Sequence, residues 1–187
     1  LSGFGFLLNL RKIACQVLKI ESPLFDFFSI PYKFLVLALS KTANIFFDYK
    51  LTKEEPEDSL LDKFILKEAI KNHCEMIRDS TFLKWRFLKS PVWQAQILYL
   101  YKDSKLFGYV VLQNVELEGI QFTVVMDFAI SKEVNAFQLL CLRFSIIQMA
   151  LDHDSDAIFT LLNPLSSSSK RFVGFPWIKI PERYLPH

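Results

Sequence analysis

The chain has 187 residues, 51% of them apolar, which is enough for a sizeable packed core and too apolar for general disorder. Its 22 Lys and Arg stand against 20 Asp and Glu with no block of like charge, a balance that argues against nucleic acid or an anionic membrane surface as partner. Three cysteines, Cys15, Cys74 and Cys141, fall singly in apolar-periodic segments, the pattern of buried thiols in a reducing compartment, so a cytoplasmic location is expected.

The chain opens at Leu1 with neither an initiator methionine nor a signal-peptide pattern, and it is expected to be a piece of something longer. Residues 1–50 are rich in Phe, Leu and Ile, with breaks at Pro23 and Pro31, which predicts helices around Leu7–Ile20 and Pro31–Phe47. The most membrane-like stretch, Phe27–Leu39, contains Pro31 and Lys33 and falls short of the roughly 18 apolar residues of a spanning helix, so no membrane span is expected. The two helices carry more apolar surface than one stripe. They either complete the core of the following domain or also pack against a missing N-terminal domain or a second subunit. Residues 1–52 therefore read as an apolar helical connector and residues 53–187 as a domain.

Lys53–Asp58 is a charged turn, and Ser59 with Asp62 suggests a capping box for a helix whose apolar residues are Leu61, Phe64, Ile65, Ile70, Cys74 and Ile77. Gln94–Tyr101, Leu106–Val115 and Gly119–Ile130 are β-branched and aromatic runs separated by turn residues, an antiparallel meander. Val134–Leu151 predicts a helix nearly surrounded by protein, with Gln138, Ser145, Gln148 and Asp152 on a narrow polar stripe. Ala157–Leu162 reads as a buried strand, Ser166–Lys170 as polar loop and short helix, and Trp177–Ile180 as a last strand. The whole is a mixed α/β (α+β) arrangement: a central mixed sheet made of a meander followed by helix–strand–helix–strand, with helices on both faces.

Several residues stand out chemically. Asp127 lies mid-strand among apolar residues and reads either as a general base or amine ligand, or as a buried partner of Arg86 or a backbone N–H. Asp152-His153-Asp154 with Asp156 lacks the spaced His or Cys of a metal site and reads as a solvated helix end. His73-Cys74 are helix neighbours facing different ways, and Ser166–Ser169 lack the strand–turn–helix setting of a hydrolase nucleophile. Trp93, Tyr99, Tyr101 and Tyr109 read as sheet packing.

The element order, with Asn163 spaced as N-x(10)-G-F from Gly174-Phe175, resembles the GNAT N-acetyltransferase superfamily over about Asp58 to the C-terminus. Leu83-x-Trp85-Arg86-Phe87 with Pro91 looks like tandem GNAT proteins, in which two such units share a chain. Leu139-Leu140 sets the register of the family's phosphate loop, R-G-x-G-x-G/A, on Ser131-Lys132-Glu133-Val134-Asn135-Ala136. The resemblance implies acyl transfer from acetyl-CoA or another acyl-CoA to a small-molecule amine or peptide. Phe128, Ala129, Ile130, Lys132, Ala136 and Asn163 would hold the cofactor. Asp127 and Lys170 would be the catalytic candidates, Lys170 standing at the family's proton-donor tyrosine. Only Ala136 of the loop agrees with the family, and the glycines that let N–H groups wrap a pyrophosphate are absent, so the expectation is a degenerate coenzyme A site in a supporting unit of a tandem protein. The alternatives are an active N-acetyltransferase in which Lys132 holds phosphate, and a non-enzymatic interaction module that docks through its N-terminal helices.

Overall fold

In the computed structural model, the structure describes residues 2–16, 19, 23–69, 78–90, 95–162 and 171–180. The elements are β1 (Ser2–Leu7), α1 (Leu10–Gln16), α2 (Pro23–Ile45), β2 (Lys50–Thr52), α3 (Asp58–Ala69), α4 (Ser80–Leu83), a π-helical turn at Lys84–Leu88, β3 (Ala95–Lys102), β4 (Lys105–Leu117), β5 (Ile120–Ile130), α5 (Ala136–Asp152), β6 (Ala157–Leu162) and β7 (Ile178–Ile180). The seven strands form one mixed sheet in the order β2-β3-β4-β5-β6-β1-β7.

The meander forms where alternation predicts it. Asp103 and Ser104 both have positive φ, as do Glu118 and Gly119, so each hairpin closes through a two-residue turn whose twist matches the strands. Alternation also divides the core. Leu98, Leu100, Val110 and Leu112 pack with Leu142, Ile146 and Ile147 of α5 on one face. Ile97, Tyr99, Tyr109 and Val111 meet Leu61, Phe64, Leu83 and Phe87 on the other. Helices thus lie on both faces of the sheet.

The N-terminal segment departs from its sequence reading. A strand, β1, occupies Ser2–Leu7 ahead of the expected helix, and the helix itself is described over Leu10–Gln16, within the expected Leu7–Ile20. Gly3-Phe4-Gly5-Phe6 alternates with period two: Phe4 and Phe6 join the α5 face of the core, and the glycines face the other way. A Cβ on Gly5 would lie 2.9 Å from the carbonyl oxygen of Ile158, so only glycine lets β1 lie this close to β6. First in sequence, β1 pairs antiparallel with both β6 and β7 and sits between them. Pro31 does not start a helix but lies inside α2, which continues past the missing backbone donor.

The other face of α2 holds it to the molecule. Tyr32 donates from its hydroxyl to the Leu7 carbonyl at 2.6 Å, and Val36 and Ser40 are buried. The polar stripe of α5 is buried at Gln138 and Ser145 and reaches solvent only at its C-terminal end, where Gln148 donates to Asp152. Gln138 donates to the Phe46 carbonyl at 3.1 Å and accepts from the Asp48 N–H at 3.0 Å, and Ser145 donates to Asn44 at 2.5 Å. These groups fasten the end of α2 to α5, because buried polar atoms there must be paired.

Three smaller readings are also corrected. Asp62 accepts the Ser80 N–H of α4 at 2.7 Å, while Asp79 caps α4 by accepting from Phe82 N–H. Asp156 is buried and takes Asn9, Lys12 and the Gln121 N–H, so it ties β6 to the α1 end. Cys15 is exposed, while Cys141 is buried with its thiol pushed up by desolvation. Cys74, His73, Trp93 and Ser166–Ser169 lie outside the described residues. Among the described residues no helix is long and apolar enough to cross a membrane, and no group of His, Cys, Asp and Glu is placed to hold a metal ion.

Candidate functional site

The parallel pair at the centre of the sheet is short. β5 and β6 pair from Phe122–Ala157 to Val125–Thr160, and the last rung is closed by the Thr160 hydroxyl donating to the Val125 carbonyl at 3.0 Å. β5 then runs on to Ile130 paired with β4 alone among the described residues. Beside this parting, the β4–β5 register shifts at Val111/Leu112, opposite Asp127 and Val125, so Met126 is the extra residue of a bulge. The bulge has a side-chain consequence. Val125 and Asp127 would share a face on a regular strand, but Val125 enters the α5-side core while Asp127 turns to the α3–α4 side.

There Asp127 is 8% exposed and pairs with Arg78 through one oxygen, while its other oxygen accepts from the Tyr109 hydroxyl at 3.3 Å. Burial raises its pKa from the ordinary carboxylate value, and the Arg78 guanidinium pulls it back only in part. Burial works to lower Arg78 itself, and Asp127 and Tyr109 together outweigh it, so Arg78 is raised. Tyr109 is pushed well up, chiefly by desolvation and then by the Asp127 charge. The partner is therefore Arg78 and not Arg86. Arg86 is exposed on the π-helical turn and lies over the rings of Phe82 and Phe87. Sequence order alone could not choose between the two arginines, because both precede the meander.

The β5–α5 junction is the second part. Ser131 N–H donates to the Phe107 carbonyl at 2.8 Å, Val134 N–H to the Ser131 carbonyl at 3.1 Å, and Glu133 N–H to the Ser131 hydroxyl at 3.3 Å. Asn135, extended at φ −75 and ψ 168, caps α5 by accepting from the Gln138 N–H at 2.9 Å. Val134 is fully buried in the core and does not project from the junction. Glu133 binds Lys67 at 2.7 Å through one oxygen and Lys105 at 2.8 Å through the other, which lowers its pKa to about 2. Lys132 is exposed, Ala136 opens α5, and Phe128 stacks on Phe172 with ring centroids 4.2 Å apart.

Two arginines missed at the sequence level complete the arrangement. Arg171 donates to the carbonyls of Ser131 at 3.1 Å and Val134 at 2.5 Å, with a longer contact to Lys132 at 3.5 Å. Arg143 of α5, buried with no carboxylate partner among the described residues, donates to the carbonyls of Arg171, Phe172 and Phe175 at 2.8–2.9 Å. Gly174, at φ +144, lies against that guanidinium, and an added Cβ would meet it at 3.2 Å. So α5 grips the 171–175 segment, and that segment in turn grips the carbonyl side of the junction. The signal was an arginine on the apolar side of α5, away from the polar stripe of Gln138, Ser145, Gln148 and Asp152, since such a group survives burial only where acceptors converge. Of the residues expected at the site, Phe128, Ala129, Ile130, Lys132 and Ala136 follow one another along the end of β5 and the junction, but on two faces: Phe128 and Ile130 enter the α5-side core, whereas Ala129 shares the α3–α4 side with Asp127. Asn163 and Lys170 lie outside the described residues.

No protein-family model matches the sequence, and no curated protein matches it. Among solved structures, the chain is similar to the ribosomal-protein-alanine N-acetyltransferase of Brucella melitensis biovar Abortus 2308, at 12% identity and TM-score 0.50 over 67% of this chain and 87% of that one. It also matches an aminoglycoside acetyltransferase from an uncultured soil metagenomic sample, at 13% identity and TM-score 0.44 over 67% and 84%. A third is L-PGS from Bacillus licheniformis, at 12% identity and TM-score 0.49, over 89% of this chain and 47% of that one. At such identities a likeness is one of fold alone, and the likeness to the Brucella enzyme, with the mixed sheet, the parted β5–β6 pair and the β5–α5 junction, leads to one conclusion: this chain has the GNAT N-acetyltransferase fold.

Proposed function

We propose that this is a GNAT-fold acyltransferase-like domain whose coenzyme A seat is filled by the chain's own groups, and that it supports a second unit rather than carrying acyl transfer alone. The observation that carries this reading is the hydrogen bonding of the junction. A pyrophosphate cradle needs N–H groups converging on an empty position. Here the Ser131 and Val134 carbonyls converge on the Arg171 guanidinium, the Gln138 N–H is spent on Asn135, and Glu133 brings a negative charge to the α5 N-terminal side. Lys132 is one flexible cation and offers a point charge without a cradle.

Docking to a preceding GNAT-like domain of the same chain, or to a second subunit, fits the outer face of α2, where Phe27 is 73% and Phe34 68% exposed. The second reading, an active N-acetyltransferase for an amine, is favoured by Asp127, a buried carboxylate of raised pKa beside the parting strands. Isothermal titration of acetyl-coenzyme A into the chain separates the two. The first reading expects no binding in the micromolar range; micromolar affinity overturns it and leaves the second.

A further inference from the structure

We propose that Lys67 and Lys105 form a binding site for a compact oxyanion, a phosphate or pyrophosphate group, which the chain occupies with the carboxylate of Glu133 as a displaceable internal ligand. The two lysines come from unrelated elements, Lys67 from the last turn of α3 and Lys105 from the first residue of β4, and they meet at one carboxylate of a third element. Each ammonium takes a different oxygen, at 2.7 and 2.8 Å, so the carboxylate is held bidentately between two cations, as a phosphate's oxygens are.

The site is preorganised on one side. Lys105 lies over the face of Phe107 with its Nζ 4.7 Å from the ring centroid, and Phe107 is fixed edge-on against Tyr49 at 5.2 Å. Its charge is also in excess. Two lysines face one carboxylate, Lys132 sits next to Glu133 in the same turn, and among the described residues Glu68 is the further carboxylate that acts on Lys67. An incoming dianion would satisfy the pair better than the monoanion it displaces. All three side chains are about half exposed, so exchange requires no opening of the core. In this arrangement Glu133 sets the threshold: it lowers the affinity of the lysine pair for small anions while keeping the pair assembled.

The inference rests on the reading above only in treating the junction as self-occupied, and acetyl-coenzyme A titration of the unaltered chain does not decide it. The deciding experiment is titration of inorganic pyrophosphate at low ionic strength into the full chain, into Glu133→Gln, and into Glu133→Gln with Lys67→Met and Lys105→Met. The expected result is binding to Glu133→Gln about tenfold tighter than to the unaltered chain, with the gain lost in the triple variant. Equal affinity of the first two proteins overturns the proposal, as does a gain that survives removal of both lysines. Glu133→Ala, with the same expected gain, replaces Glu133→Gln should the latter not fold.

Discussion

Single side chains decide most of what is unusual in this molecule, and Asp127 shows how. A carboxylate in a strand of valines and phenylalanines costs desolvation, and it persists because Arg78 and Tyr109 meet its two oxygens. Asp127→Ala is therefore expected to lower stability by about 2 kcal/mol, since it strands Tyr109 in the core and leaves Arg78 to water, whereas the isosteric Asp127→Asn costs less. Urea unfolding of the two variants checks the order, and Arg78→Met is expected to cost at least as much as Asp127→Ala, because it leaves the buried carboxylate without its cation. Glu133 gives a pH-dependent prediction. Its folded-state pKa, lowered to about 2 by Lys105 and Lys67, lies below its ordinary 4.5. Its contribution to stability is thus present above about pH 4.5 and is lost as pH falls toward about 2. The melting-temperature difference between the unaltered chain and Glu133→Gln should close over that window. Asp127 works in the opposite sense, because a raised carboxyl pKa makes stability fall as pH rises through the interval between its unfolded and folded values.

At the scale of elements, the bulge in β5 and the arginine clamp do what regular secondary structure cannot. One extra residue at Met126 moves Asp127 to the other face of the sheet, so the α3–α4 side receives its carboxylate. Arg143 then links α5 to the 171–175 segment, and Arg171 links that segment to the junction. Arg143→Met removes three short hydrogen bonds from one buried and two partly buried carbonyls and is expected to destabilise the fold by about 2 kcal/mol. Hydrogen exchange should show faster opening of residues 131–135 in that variant although Arg143 touches none of them, since Arg171 loses its anchorage; unchanged protection there would disprove the linkage. The meander was legible because alternation and paired turn residues act locally. The β1 strand was not, because Phe4 and Phe6 gain their meaning from β6 and β7, which lie at the far end of the chain.

The whole molecule presents a sheet that takes its own first strand between β6 and β7, and a long helix with two apolar faces. α2 buries Tyr32, Val36 and Ser40 inward yet exposes Leu24, Phe27, Phe28, Phe34 and Leu35 outward. Single exposed apolar residues are ordinary, but a contiguous row along one helix is the mark of a contact surface. Light scattering coupled to size exclusion should accordingly show concentration-dependent association of the isolated chain, and Phe27→Ser with Phe34→Ser should reduce it without lowering the melting temperature. A concentration-independent monomer would count against a docking role for α2.

The division between sequence and structure follows from the range of the forces involved. Sequence by itself determined the meander, the buried α5, the strand β6 and the absence of glycine from the junction, all of which rest on periodicity or on residue types within a few positions of one another. Only the tertiary structure decided that Asp127 pairs with Arg78, that Val134 turns into the core, that Glu133 is held by two lysines, and that Arg171 faces the junction's carbonyls. Those outcomes depend on which charges and acceptors are brought within hydrogen-bond reach across the sheet, and a buried charge accepts whichever partner the packing delivers, not the one nearest in sequence.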